Sequence, residues 1–330
     1  MMFATKPYAK NSMQSLTHWL AVWFTAARPH TLSASAVPVL VGSAHAARTD
    51  FFSWELCLLT LCGSLLVQIG ANFTDEFADH GAGDSADKFP APHKVIARGL
   101  LSTRAVKLGA AVVFGLATVI GVYLVSLSGW PLLAVCGVSL AVAYGYSAGP
   151  LPLGDFALGE ALVFVVMGPV MVMSTVFVQT GAWEAMAFWL SLPVAALVTA
   201  ILIANNLRDA TEDRRQGRRT LVTVFGAGPV RTLYMALLAL AFGAPLAMVL
   251  LGRASFWLLL PWLTLPLAFR LLLWLRDGIE QAAPHQPSPR QSILHRALKG
   301  TSALHLLYGL LLTAAVLGGA VFSGGLHPAG

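Results

Sequence analysis

Charge is what this sequence has least of. Asp, Glu, Lys and Arg make up 11% of its 330 residues, against roughly 25% in an ordinary soluble domain. So few charges cannot coat a water-facing surface, which argues against a soluble enzyme. The mean hydropathy of +0.71 excludes a disordered chain and a coiled coil. Cysteine is scarce too. Cys57, Cys62 and Cys136 lie in apolar runs with no Cys-x-x-Cys spacing, which excludes a disulfide scaffold and reads as packing rather than metal or redox chemistry. The apolar stretch Leu16–Ala27 is followed by no small-residue cleavage site, so it reads as an interfacial helix and not a removed signal. A pI near 9.5 could suggest nucleic acid, but the basic residues form no single patch.

What is present is apolar sequence in spanning lengths. Nine runs near the 20 residues needed to cross hydrocarbon lie at roughly 30–47, 53–74, 104–126, 130–148, 156–178, 184–206, 229–251, 255–275 and 303–323. The first is short and contains Pro38. With nine spans, 19 of the 21 Lys and Arg residues fall on the side of the N-terminus, and only Arg48 and Arg253 fall on the other. That asymmetry fixes the N-terminus in the cytoplasm. The expected architecture is an all-α integral membrane protein of nine transmembrane helices around a central cavity. Residues 1–29 form an N-terminal segment, 30–323 a single domain and 324–330 a tail. A Pro-rich connection, 276–300, reads as a mobile surface loop.

The acids are unevenly placed. Eight of 15 lie in two polar connections, about 75–103 and 207–228, after the second and sixth spans. If the second span continues as a helix, Gln68, Asn72, Asp75 and Asp79 share one face. Asn205, Asp209 and Asp213, spaced by fours, share another. Carboxylates one turn apart repel, and a hard divalent cation relieves that repulsion. Mg²⁺ takes one or two carboxylates plus phosphate oxygens. Cations accompany both columns: Lys94 and Arg98 near the first, Arg208, Arg218 and Arg219 near the second. Acidic columns beside Lys and Arg are the parts of a Mg²⁺–diphosphate site, with carboxylates on metal and cations on phosphate. Ordinary charged cytoplasmic loops explain one such motif better than two. A cation-coupled transporter would place its ionisable groups near the bilayer midplane, where this sequence has almost none.

Several segments carry a resemblance: Arg28-Pro-His-Thr-Leu, Gln68-Ile-Gly-Ala-Asn72, Gly99-Leu-Leu-Ser102, Tyr146-Ser-Ala-Gly-Pro-Leu-Pro152, Leu158-Gly-Glu160 and, most specifically, Asn205-Asn-Leu-Arg-Asp209-x3-Asp213-x3-Gly217-Arg-Arg-Thr220. Together they resemble the UbiA superfamily of intramembrane prenyltransferases, and within it the 1,4-dihydroxy-2-naphthoate polyprenyltransferases of menaquinone biosynthesis. The likeness runs over about 28–226. It implies Mg²⁺-dependent transfer of a polyprenyl group from its diphosphate to an aromatic quinone precursor, with loss of carbon dioxide from the ring. Partners would be the polyprenyl diphosphate, the aromatic acceptor and the lipid bilayer of the inner (cytoplasmic) membrane, with the site on the cytoplasmic side. Asn72, Asp75, Asp79, Asp209 and Asp213 are the expected metal ligands, the four acids also being catalytic. Asn72, Asn205, Lys94, Arg98, Arg208, Arg218 and Arg219 are expected at the substrate, with the Tyr146 ring near the developing cation. The first motif departs from that branch, reading Asn72-x-x-Asp75-Glu76-Phe77-x-Asp79 where Asn-x-x-Asn-Asp-Tyr-x-Asp is usual. The departure leaves 4-hydroxybenzoate or another aromatic acceptor as the alternative.

Overall fold

The computed structural model describes residues 9–81, 94–280 and 287–323. Among these residues every regular element is helical, apart from one isolated backbone bridge between Phe156 and Arg219. The helices are α1 Ala9–Ala26, α2 Ser33–Ala46, α3 Trp54–Gly81, α4 Thr103–Ser128, α5 Trp130–Gly145, α6 Gly159–Val165, α7 Met171–Thr180, α8 Ala185–Arg215, α9 Leu221–Phe225, α10 Ala227–Leu250, α11 Leu265–Glu280 and α12 Pro287–Ser323. A wide π-turn, Val166–Val170, joins α6 to α7, and a 3-10 segment, Phe256–Thr264, leads into α11. Pro169 lies in the π-turn, where its missing N–H is accommodated by the widened ladder.

Counting α6–α7 and the 3-10 segment with α11 as single spans, the described residues contain seven helices long and apolar enough to cross a membrane. The other two expected spans are helical but short. Helix α5 has 16 residues and α2 has 14, or about 24 and 21 Å at 1.5 Å per residue. The brevity of α2 follows from its position. Twelve of its residues are buried, so it is enclosed by α3, α7, α8 and α12 and meets little lipid. Glycine permits that enclosure: a Cβ on Gly42 would stand 2.8 Å from the Val172 carbonyl oxygen, and one on Gly309 of α12 would stand 2.3 Å from a Val37 methyl. Close backbone approach at small residues is how helices associate where lipid removes the hydrophobic drive.

Helix α8 is central. Its first 26 residues are mostly buried, and Leu190, Val194, Leu197, Ile201 and Ile203 form much of the core with α10 and α12. Helix α4 lies outside, with Leu108, Leu116, Val119, Val122 and Leu127 exposed, as a lipid-facing surface requires.

The Pro-rich 276–300 segment differs from expectation. Helix α11 runs to Glu280 and α12 starts at Pro287, so 287–300 is helix and not surface loop. Proline in a first helical turn costs nothing, because those N–H groups have no intrahelical partner. Residues 281–286 and the 324–330 tail lie outside the described residues, as do Asp84 and His93 in the first polar connection.

Candidate active site

Helix α3 continues seven residues past its expected apolar end, which sets Gln68, Asn72, Asp75 and Asp79 on one face. The members of that column do different work. Asn72 is buried. Its Nδ2 donates to the Ala27 carbonyl at 2.8 Å and to Thr31 Oγ1 at 2.9 Å, and its Oδ1 accepts from Gln68 Nε2 at 3.3 Å. Gln68 in turn accepts from Ser35 Oγ at 3.1 Å. This chain of amides pins the turn between α1 and α2 to α3.

That turn presents Arg28, which has a left-handed backbone (φ 51°). Its Nη1 pairs with the Asp75 carboxylate, and Asp75 Oδ1 also accepts from Ser147 Oγ at 3.1 Å. Burial alone would lower the Arg28 pKa, but the carboxylates of Asp75, Asp79 and Glu76 outweigh it and hold the guanidinium charged. Nε and Nη2 of Arg28 are buried and have no hydrogen-bond partner among the described residues. These are donors suited to an incoming anion.

Asp79 pairs with Lys94. Lys94 is placed by Glu76, which is buried and accepts the Ile96 N–H at 2.9 Å, drawing the 94–101 turn against α3. Arg218 reaches in from the loop after α8. Its Nε donates to Asp155 Oδ1 at 2.8 Å, and its Nη1 stands 3.4 Å from Asp79 and 3.8 Å from Asp213. Burial disfavours this charge as well, and Asp79, Asp75 and Asp213 overcome it, so the Arg218 pKa is raised. The loop is firmly built: Gly217 turns with φ 73°, Thr220 and Thr223 form a capping box, and the Ala157 N–H donates to the Arg219 carbonyl at 2.6 Å. Further back on α8, Arg208 spans Asp209 (Nε to Oδ1, 2.7 Å) and Asn205 (Nη2 to Oδ1, 2.9 Å).

The structure thus brings Asn72, Asp75, Asp79, Lys94 and Tyr146 together with Asn205, Arg208, Asp209, Asp213 and Arg218 around one end of the bundle. Arg98 and Arg219 are exposed. Four residues were missed as site members from sequence: Arg28, Ser147, Asp155 and Glu76. Arg28 and Ser147 lie in segments that carry the family likeness, which was the available signal. Glu160 lies in the first turn of α6 and accepts from Asn206 at 2.9 Å in the buried seam between α6 and α8.

An apolar cavity of about 500 Å³ opens at this cluster. Arg28, His30, Asn72, Asp75, Asn205 and Arg208 line its polar end. Val125, Leu132 and Val178 line its far end, with Thr60 on α3. From Asp75 to Thr60 along α3 is about 22 Å at 1.5 Å per residue. Tyr146 also lines the cavity, its ring against Gly154 and Gly159, where a Cβ on Gly159 would come within 2.6 Å of the hydroxyl.

Whether Mg²⁺ suits these residues turns on their donors. Among the described residues no three Asp, Glu, His or Cys groups are grouped to hold one ion as they stand. Mg²⁺ does not need such a cage, since one or two carboxylates and phosphate oxygens complete its shell. Carboxylates from the two columns meet at one guanidinium nitrogen, and the donor set is hard oxygen, which fits.

The UbiA prenyltransferase family model matches residues 35–288. A 1,4-dihydroxy-2-naphthoate octaprenyltransferase of Bacillus subtilis (strain 168) is 33% identical over 291 residues, covering 88% of this chain and 90% of that protein. The protein so named in Mycobacterium tuberculosis is 32% identical, covering 78% of this chain and 87% of its own length. The structure of a UbiA homolog from Archaeoglobus fulgidus bound to GPP and Mg²⁺ superposes with a TM-score of 0.59 at 14% identity, covering 89% of this chain and 99% of that one, a likeness of fold.

Proposed function

The chain belongs to the UbiA prenyltransferase family, and we propose that it transfers a polyprenyl group from its diphosphate to 1,4-dihydroxy-2-naphthoate in a Mg²⁺-dependent reaction. The observation that carries this reading is the junction of two acid columns, bridged by Arg218, at the mouth of the apolar cavity. The names of the most similar relatives support the acceptor.

In this reading Asp75 and Asp79 on α3 and Asp209 and Asp213 on α8 hold the metal. Asn72 would join them through the second lone pair of Oδ1, since its first accepts from Gln68. Magnesium, when bound, neutralises the diphosphate and makes it a leaving group. Arg28 offers Nε and Nη2, which donate no hydrogen bond, to the diphosphate, Nη2 standing 3.9 Å from Glu76, and Lys94, Arg208 and Arg218 exchange carboxylate for phosphate contacts. Arg98 and Arg219 would reach the same anion from the exposed rim. The cavity holds the prenyl chain and keeps water from the reacting carbon. The Tyr146 ring faces positive charge as it develops there, through its π electrons. The acceptor ring attacks that carbon, and in the resembled branch carbon dioxide leaves.

The same reading sets nine spans in the cytoplasmic membrane, α2 and α5 included, with the N-terminus and the acidic mouth in the cytoplasm. Residues 30–323 form one catalytic domain and α1 lies along the interface.

The test is an assay of protein purified in detergent with radiolabelled polyprenyl diphosphate, Mg²⁺ and a panel of acceptors. Label should enter 1,4-dihydroxy-2-naphthoate and cease to do so with EDTA. Transfer to 4-hydroxybenzoate alone would overturn the acceptor. No Mg²⁺-dependent transfer to any aromatic would overturn the reaction.

A further inference from the structure

The two cations that stand against the charge asymmetry, Arg48 and Arg253, come together. Arg48 follows α2 and Arg253 follows α10, both at the end of the bundle opposite the acids. They line one pocket of about 380 Å³. Both side chains are exposed, and among the described residues neither has a hydrogen bond or an ion pair. The carboxylate of Glu184, which precedes α8, is taken by His45, at 2.7 Å.

The floor of this pocket is apolar. Leu190 of α8, Met248 of α10, Leu258 and Val316 of α12 line it, each buried. Its rim is built for a membrane interface. Gly252 (φ 65°) turns the chain so that Arg253 is flanked by the exposed Leu250, Leu251 and Phe256, with the Phe256 ring stacked on Trp257 at 4.9 Å. Apolar and aromatic residues around a basic one are the composition of an interfacial anchor.

From this geometry we propose a lipid site: the pocket binds an anionic phospholipid, with the phosphate between Arg48 and Arg253 and the first acyl carbons on the apolar floor. Guanidinium groups recognise phosphate through paired N–H donors, and two like charges lining one pocket are relieved by an anion between them. An apolar floor beside them favours an amphiphile over a free anion. The inference rests on the membrane embedding of the fold and not on the identity of the aromatic acceptor.

The test uses full-length protein in an uncharged detergent. Short-chain phosphatidylglycerol, short-chain phosphatidylcholine and inorganic phosphate are added separately. Binding is read by native mass spectrometry and by the shift in Tm. Phosphatidylglycerol should bind and raise Tm more than the other two. R48Q/R253Q should weaken that binding about tenfold or more, and R48K/R253K, which keeps the charge but not the fork, should keep only part of it. Prenyl transfer in detergent should run at the parental rate in R48Q/R253Q, which separates this site from the catalytic one. Unchanged phosphatidylglycerol binding in R48Q/R253Q would overturn the proposal. So would equal protection by phosphatidylcholine or by phosphate alone, or loss of transfer in that variant.

Discussion

Asp79 and Asp213, from helices far apart in the chain, face the same nitrogen. Arg218 Nη1 stands 3.4 Å from an Asp79 oxygen and 3.8 Å from an Asp213 oxygen. One side chain thus gathers both acid columns and keeps their charges together. A metal and an anion arriving between them would find the carboxylates already converged, with little left to organise.

Removing that gatherer should therefore harm substrate binding more than folding. Arg218→Gln is expected to lower kcat/KM on the order of 100-fold, mainly through a higher KM for the prenyl diphosphate. Arg218→Lys keeps the charge but not the fork that spans Asp79, Asp155 and Asp213, so it should recover only part. Steady-state kinetics with varied prenyl diphosphate measure both. Parental kinetics in Arg218→Gln would mean the guanidinium only spaces the acids.

Asp79→Ala and Asp209→Ala, one from each column, should each reduce transfer by about 10²- to 10³-fold. Neither carboxylate lies in the packed core, so the protein should stay monodisperse and close to the parental Tm. Full activity in either variant would remove that residue from the metal site.

For Asn72 the expectation differs. Its amide hydrogen bonds to Ala27 and Thr31 hold the segment carrying Arg28. Asn72→Ala should cost about 1–3 kcal/mol of stability, the range for leaving buried polar partners unsatisfied. Thermal denaturation in detergent, with Mg²⁺ chelated, reads this. An unchanged Tm would leave metal ligation as its sole role.

At the far end of the cavity, Val178 has room that a prenyl chain would use. Val178→Trp fills it. The variant should accept short prenyl diphosphates nearly as before and lose kcat/KM progressively as the donor lengthens. A uniform loss across donor lengths, measured on a graded series, would place the chain elsewhere.

The helices were legible because hydrocarbon demands long apolar runs, and lipid leaves few other ways to satisfy the backbone. The acid columns were legible because helical periodicity is regular: once α3 continues, Asn72, Asp75 and Asp79 must share a face. What escaped depends on contacts between distant segments. Nothing local in Arg28 announces a left-handed backbone or a partner 47 residues away. Nothing local in Asp155 announces Arg218, 63 residues away, as its partner. Arg218 and Arg219 look equivalent in sequence, but the Arg219 backbone runs beside Phe156 in an extended bridge. Neighbouring side chains in extended backbone point to opposite sides, so one turns inward and the other outward. Prolines 287 and 289 suggested a loop because position within a first turn, where proline is harmless, cannot be read without knowing where the helix begins.

The lengths of α3 and α8 carry a last consequence. With 28 and 31 residues they run about 42 and 46 Å, beyond the roughly 30 Å of hydrocarbon. The acids occupy the overhanging final turns. In the proposed reading their carboxylates would stand in the headgroup layer, with the cavity beneath them at the depth of the acyl chains. A donor whose head belongs in water and whose tail belongs in oil would meet both phases here without leaving either.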